Sequence, residues 1–268
     1  DETALRDRHA RITWEGGPAV ANRVMKALRA AWGRARSLNK QLPPNLMRGG
    51  EAERGWAWND EREGGAVIDP KDLPAWWAQV HELPPVRRDW NLFALLTAAR
   101  RDDVKRLRWE FVDLARGTVH FPEPKGGPKK AYTIPVCTYV VDLLRRRRED
   151  NRREFGDDSG WVFPIRHAKE GVTHLRQPVE MRYVAGKKAR VLPNPHALRR
   201  TWITAADGRV PTKVAEQLSN HVMDRGGIAS HRRYQVPDED ALRAAAEVVA
   251  AYLLERAGVT AGFAAERA

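Results

Sequence analysis

Pro195-His196-Ala197-Leu198-Arg199-Arg200-Thr201 opens a stretch that runs through a polar turn at Asp207-Gly208 and a short amphipathic segment ending in Leu218-Ser219-Asn220-His221. It closes on His231-Arg232-Arg233-Tyr234. Pro195 suits the first position of a helix, where its missing N–H would have had no partner anyway. His196 and Arg199 are then three apart on one side of that helix. Both fall in the first turn, where the positive end of the helix favours an anion. A guanidinium is a planar fork of donors that can grip two oxygens of one phosphate, which a lysine cannot copy. Tyr234 adds a hydroxyl able to attack phosphorus. Its free pKa is about 10, so near neutral pH it needs cationic neighbours or a base.

At these residues the chain resembles the tyrosine recombinases, the phage-integrase family. The His-x-Leu-Arg motif is matched by His196-Ala197-Leu198-Arg199, and the Leu-Gly-His element by Leu218-Ser219-Asn220-His221, with Asn in place of Gly. The nucleophile falls on Tyr234, after an interval from His221 that is a few residues longer than is common in the family and contains Gly226-Gly227. Upstream, Thr97-Ala98-Ala99-Arg100-Arg101-Asp102-Asp103 is similar to the Thr-Gly-x-Arg-x-x-Glu box, with Ala98 for Gly and Asp103 for Glu. The resemblance makes Arg100 the first catalytic arginine and Asp103 a carboxylate that orients active-site groups.

Thr118-Val119-His120-Phe121 and Ala131-Tyr132-Thr133-Ile134-Pro135 have the β-branched and aromatic content of two strands, and the Gly- and Pro-rich segment between them suits a hairpin loop. The family carries a lysine in such a hairpin that protonates the leaving 5′ oxygen. Lys125 holds that position here, with Lys129 and Lys130 as neighbouring substitutes. The resemblance therefore implies a catalytic set of Arg100, Lys125, His196, Arg199, His221 and Tyr234. Arg101, Lys129, Lys130, Arg200, Arg232 and Arg233 are the expected DNA contacts.

Composition agrees with a polyanionic partner: the net charge is +12 and the pI about 10.2, with basic residues in excess throughout. The 42% hydrophobic content and ten tryptophans can fill a core. No apolar run reaches the ~18 residues of a membrane span. The first residues, Asp1-Glu2-Thr3-Ala4-Leu5, lack an apolar signal core, so a cytoplasmic, nucleoid-associated protein is expected. Cys137 is the single cysteine, which rules out an internal disulfide and a Cys-rich zinc site, and the eight histidines form no His-Glu-x-x-His pattern.

Earlier in the chain, Val24, Leu28, Trp32 and Ala35 recur at helical spacing, predicting a helix over 17–36 with those residues inward and Arg23, Lys26, Arg29 and Arg34 on the other face. Pro43-Pro44 and Gly49-Gly50 break it, and a linker is expected from about 48 to 66. Ala21-Asn22-Arg23-Val24 followed by Pro44-Asn45-Leu46 is similar to the end of the family's helical core-binding domain. Its earlier helices, and any arm-binding domain, are then expected to lie outside this chain.

Leu73, Trp76, Trp77 and Val80 predict one core-facing helix, and Trp90, Phe93 and Leu96 another. Residues 138–153 read as an amphipathic helix with Val140, Leu143 and Leu144 inside and a basic end, Arg145 to Arg148, taken as solvated surface with DNA contact as the sharper reading. The segment 166–192 is too mixed to place. Leu242, Ala245, Ala246, Val249, Tyr252 and Leu253 predict a final helix over 238–257, packed on its own domain or on a neighbouring protomer.

The expected fold is α+β, mainly α-helical: a tyrosine recombinase catalytic domain with a small antiparallel β-sheet over 59–268, preceded over 1–58 by part of a helical DNA-binding domain and its linker. The resemblance implies site-specific recombination on double-stranded DNA through a 3′-phosphotyrosyl link, without metal, ATP or other cofactor. A homotetramer on DNA is expected, with a monomer in solution allowed, in the setting of a phage, prophage or mobile element. Two other classes fit the same residues: a type IB topoisomerase-like relaxing enzyme, and a DNA-binding fragment that does not cleave.

Overall fold

The computed structural model describes residues 2–45, 47, 56–60, 66–156, 159–176, 178, 181–184, 187–190, 194–220 and 238–259. The chain divides into two compact units, Asp1–Gly64 and Gly65–Ala268. Among the described residues no helix is long and apolar enough to cross a membrane.

The first unit is built on α1 (Glu2–Gly16) and α2 (Pro18–Leu38). They are joined by Gly17, whose φ of 88° is a conformation that residues with a Cβ seldom adopt. The buried face of α2 is Ala21, Asn22 and Met25, not the expected stripe: Val24 and Leu28 are 43% and 36% exposed. The helix has two apolar faces, and the one docked on α1 is the one whose Asn22 answers the polar groups there. Asn22 Oδ1 lies 3.1 Å from His9 Nε2 and accepts the backbone N–H of Asn59 at 3.1 Å. Asn59 Nδ2 donates to Thr13 Oγ1 at 2.8 Å. Trp56 joins Met25 and Met47 in a small core, so residues 56–60 pack into this unit rather than acting as free linker.

The second unit is α+β and mainly helical. After a 3-10 turn at Pro70–Asp72 come α3 (Leu73–His81), α4 (Pro85–Thr97) and α5 (Arg101–Lys105). A three-stranded antiparallel sheet follows, with β1 (Val112–Asp113), β2 (Thr118–Phe121) and β3 (Tyr132–Pro135) in that order. Next are α6 (Thr138–Phe155), the hairpin of β4 (Pro164–His167) and β5 (Gly171–His174), and the hairpin of β6 (Met181–Val184) and β7 (Lys187–Arg190). Helices α7 (Pro195–Ala206), α8 (Thr212–Leu218) and α9 (Glu239–Arg256) complete it.

Helix α4 is the axis of this unit. Every residue from Asp89 to Thr97 is buried, and the helix packs against α3, α5, α6, α7 and α9. A helix apolar nearly all round can satisfy itself only in such a central place. Trp90 and Phe93 are fully buried, as their spacing predicts. Helix α9 buries Leu242, Ala245, Ala246, Val249, Ala250 and Leu253 against α8, α7, α4 and β3 of its own unit. Segment 161–175 is tied back by main-chain bonds, Val162 N–H to Leu107 O at 3.0 Å and Leu175 N–H to Phe163 O at 2.8 Å.

The basic end of α6 requires a correction, because Arg147 is wholly buried rather than solvated. It donates to Asp89 of α4 at 3.1 Å and to Asn151 Oδ1 at 3.0 Å, while Asn151 donates to the carbonyls of Trp161 and Val162 at 3.1 and 3.0 Å. Arg88 also reaches Asp89, at 2.9 Å. The stems of Val140, Leu143 and Leu144 pull this face of α6 inward, and Arg147 lies on the same face. A desolvated guanidinium then requires the partners it has. Asp89→Ala leaves that charge with Asp150, at 3.5 Å, as its remaining carboxylate, and urea unfolding should show a loss of about 3–5 kcal/mol. A loss under about 1 kcal/mol would mean that the network is not desolvated in solution.

Candidate active site

The site is built where the end of α4, the start of α5, the first turn of α7 and the end of α8 meet. Helix α4 ends in Ala98, whose backbone is left-handed at φ 53°, ψ 15°. Thr97 Oγ1 donates back to Phe93 O at 2.7 Å and accepts the N–H of Ala99 at 3.3 Å, so the turn is clamped on both sides. The chain emerges with Arg100 as the residue capping α5. A left-handed residue with a Cβ costs about 1–2 kcal/mol, and glycine would avoid it. Ala98 bears that cost and gains a carbonyl aimed at α7.

That carbonyl accepts Nη1 of Arg199 at 2.6 Å. Arg199 is only 7% exposed, and burial, followed by the neighbouring charge of Arg100, pushes its pKa down to about 10. It is still a cation at neutral pH. Arg100 is half-buried and donates Nη2 to the carbonyl of Asn220 at 2.6 Å. Asn220, just past α8, is itself left-handed, at φ 45°. Asparagine tolerates that conformation better than most residues. Ala98 and Asn220 thus both keep a left-handed backbone where the family motif has glycine, and both present their carbonyls to an arginine. Among the described residues, Arg100 Nη1 and Arg199 Nη2 are buried and have no hydrogen-bond partner.

Asp103 sits one turn into α5, 7% exposed, and accepts the hydroxyl of Tyr132 at 3.1 Å. Burial raises its pKa, against the opposing pull of Tyr132, Arg100, Arg106 and Arg199. The Tyr132 hydroxyl is raised further, by burial first and then by Asp103, and stays protonated. Tyr132 escaped the sequence reading. The available signal was a polar aromatic at the first position of β3, on the face shared with Ile134.

His196 follows Pro195 in the first turn of α7, with Asn194 capping the helix by accepting the His196 N–H at 3.1 Å. Its ring lies at the surface, and partial burial, then Arg101, Arg200 and Arg199, lower its pKa. Arg101 is exposed and paired with Asp102 at 3.1 Å, and Arg200 is exposed. Lys125, Lys129 and Lys130 are all exposed on the loop between β2 and β3, with the stem of Lys130 lying against Gly126. The structure therefore gathers Arg100, Arg199, Asp103 and His196, and leaves the three lysines on a neighbouring loop. His221, Arg232, Arg233 and Tyr234 lie outside the described residues.

The model of the phage integrase family matches residues 68–227. The chain belongs to the phage integrase family. It is 25% identical over 195 residues to the prophage integrase IntF of Escherichia coli (strain K12), an alignment that covers 72% of this chain and spans 40% of that protein. Among solved structures, the Tn1549 transposon integrase in complex with a circular intermediate DNA superposes with a TM-score of 0.60 at 15% identity, covering 90% of this chain and 83% of that one. A lambda integrase tetramer bound to a Holliday junction gives 0.54 at 15% identity, covering 84% and 65%. At such identities the likeness is one of fold.

Two expected outcomes follow from the geometry. Ala98→Val puts a β-branched side chain into a buried left-handed position, and should cost at least about 2 kcal/mol in urea unfolding. Ala98→Gly relieves the left-handed strain at some entropic cost, and should be neutral or stabilising by up to about 1 kcal/mol. Because the folded pKa of His196 is depressed, the unfolded chain binds its proton more readily. Stability from this group is present above the ordinary value of about 6.5 and is lost as pH falls through the folded pKa. An NMR titration should place the His196 midpoint below that value, and a midpoint above it would contradict the cationic surroundings described.

Proposed function

We propose that this chain is a tyrosine site-specific recombinase that cuts and rejoins double-stranded DNA. The observation that carries the reading is the pair of buried guanidinium nitrogens, on Arg100 and Arg199, unpartnered among the described residues while main-chain carbonyls hold their neighbours in place. Buried donors are rarely left unmet, so an arrangement of this kind suits an anion. Two guanidinium forks suit the nonbridging oxygens of a phosphodiester. Family membership and the net charge of +12 support DNA as the bearer of that phosphate.

In this mechanism the phenolic oxygen of Tyr234 attacks phosphorus, forming a Tyr–O–P bond as the bond from phosphorus to the 5′ oxygen breaks. Arg100 and Arg199 stabilise the charge that grows on the nonbridging oxygens, a contribution that depends on donors fixed beforehand. His196 and His221 supply hydrogen bonds or take the tyrosine proton. Lys125, or its neighbours Lys129 and Lys130, gives a proton to the leaving 5′ oxygen. The 3′-phosphotyrosyl link conserves the phosphodiester energy, and a 5′ hydroxyl from a partner strand reverses the step. On this reading the second unit is the catalytic part, and the first unit is the end of a core-binding domain. Arg101, Arg200, Arg232 and Arg233 contact backbone phosphates. A homotetramer assembles on the DNA, and the setting is the integration or excision of a phage or mobile element from bacterial DNA.

The test is covalent trapping on a duplex nicked near the crossover point, with the modified peptide mapped. Adduct on Tyr234 is expected, absent in Tyr234→Ala while DNA binding persists. Arg199→Lys keeps the charge and loses the fork, and should slow adduct formation by about 10²–10³-fold. An adduct on another tyrosine, or a lysine variant as fast as the parent, would overturn the assignment.

A further inference from the structure

Asp103 lies beside two arginines whose free donors the phosphate requires, yet it accepts its side-chain hydrogen bond from Tyr132 and from neither of them. A carboxylate within reach of a guanidinium ordinarily makes a bidentate pair with it. Here that pair would remove a donor from the phosphate site. The charges that act on Asp103 are those of Arg100 and Arg106, which flank α5, and of Arg199 from α7, and its hydrogen-bond neighbour is Tyr132 from β3. Among the described residues the one side chain in hydrogen-bonding contact with the carboxylate is that of Tyr132, and it is held firmly. Its ring stacks on Phe121, its register partner in β2, at 4.8 Å between centroids and 26° between planes. Phe121 is 2% exposed, so the stack anchors the phenol against a buried ring.

We propose that Tyr132 is a positioning residue which, by binding the Asp103 carboxylate, keeps it off Arg100 and Arg199 and so leaves their donors open to the DNA phosphate. This rests on the recombinase reading. The negative charge of Asp103 still tempers the repulsion between the two guanidinium groups from its place in α5, while its Oδ2 is bound from the sheet. Phenylalanine at 132 preserves the stack and removes only the hydroxyl. Asp103 is then released to pair with an arginine and compete with the substrate.

The experiment compares Tyr132→Phe, Asp103→Asn and the double variant in the full chain, by single-turnover adduct formation on the nicked duplex at saturating DNA. Tyr132→Phe should slow adduct formation by about 10-fold to 100-fold, the scale of a misplaced catalytic group. Affinity for uncleaved duplex should stay within about twofold, because most of it comes from other phosphate contacts. In the Asp103→Asn background the same substitution should have no further effect, since the competing carboxylate is gone. Losses that multiply in the double variant, or a Tyr132→Phe protein as fast as the parent, would overturn the role given to Tyr132. Absence of adduct from the unsubstituted chain would overturn the recombinase reading itself, and this role with it.

Discussion

Two cations that repel each other have to be held side by side in a partly buried pocket, and much of the second unit is arranged around that requirement. Arg199 is buried deeply enough for its pKa to fall to about 10, with Arg100 contributing to the depression. Among the described residues neither arginine is paired with a carboxylate, which would neutralise the site. The fold uses the carbonyls of Ala98 and Asn220, which bear partial negative charge and no proton, and it sets one carboxylate, Asp103, nearby but bound by Tyr132. The cations stay cationic and oriented, and part of each guanidinium remains available to a ligand.

Such a pocket needs rigid walls, and α4 provides them. The helix is enclosed on all sides, its Asp89 is bound to the buried Arg147 of α6, and its last residues form the turn that aims both Ala98 O and Arg100. Packing energy from Trp90, Phe93 and the leucines of α4 thereby offsets the desolvation of charged groups one turn away. The left-handed residues at 98 and 220 are local costs carried by this frame, as is common where backbone geometry serves a site.

Much of the site was legible in the chain because its chemistry sits in short local patterns. His196-Ala197-Leu198-Arg199 after a proline, and Arg100 three residues after Thr97, can be read without knowing what packs where. The helices with clear apolar periods, such as that over 238–257, were equally legible. What escaped depended on long-range neighbours. Arg147 looks like any other residue of a basic run until Asp89 is brought across from another helix. Tyr132 gains its meaning only from Asp103, which precedes it in a different element. In α2 the period marks a helix, but two apolar faces compete, and the polar contact of Asn22 with His9 decides between them. Helix α1 carries scattered charges with His9 as its buried residue, so it offered no stripe to read. The two hairpins over 164–174 and 181–190 lack an alternating pattern, and main-chain pairing defines them instead.

The acceptors for both arginines are main-chain oxygens, and a main-chain oxygen is encoded at every position. Replacing Ala98 or Asn220 changes a side chain and leaves the acceptor in place, provided the new residue tolerates the left-handed turn. A site built this way is buffered against drift at its acceptors while remaining fully exposed to it at its donors. That asymmetry accounts for a chain in which two motif glycines have been replaced while both arginines stand at their motif positions.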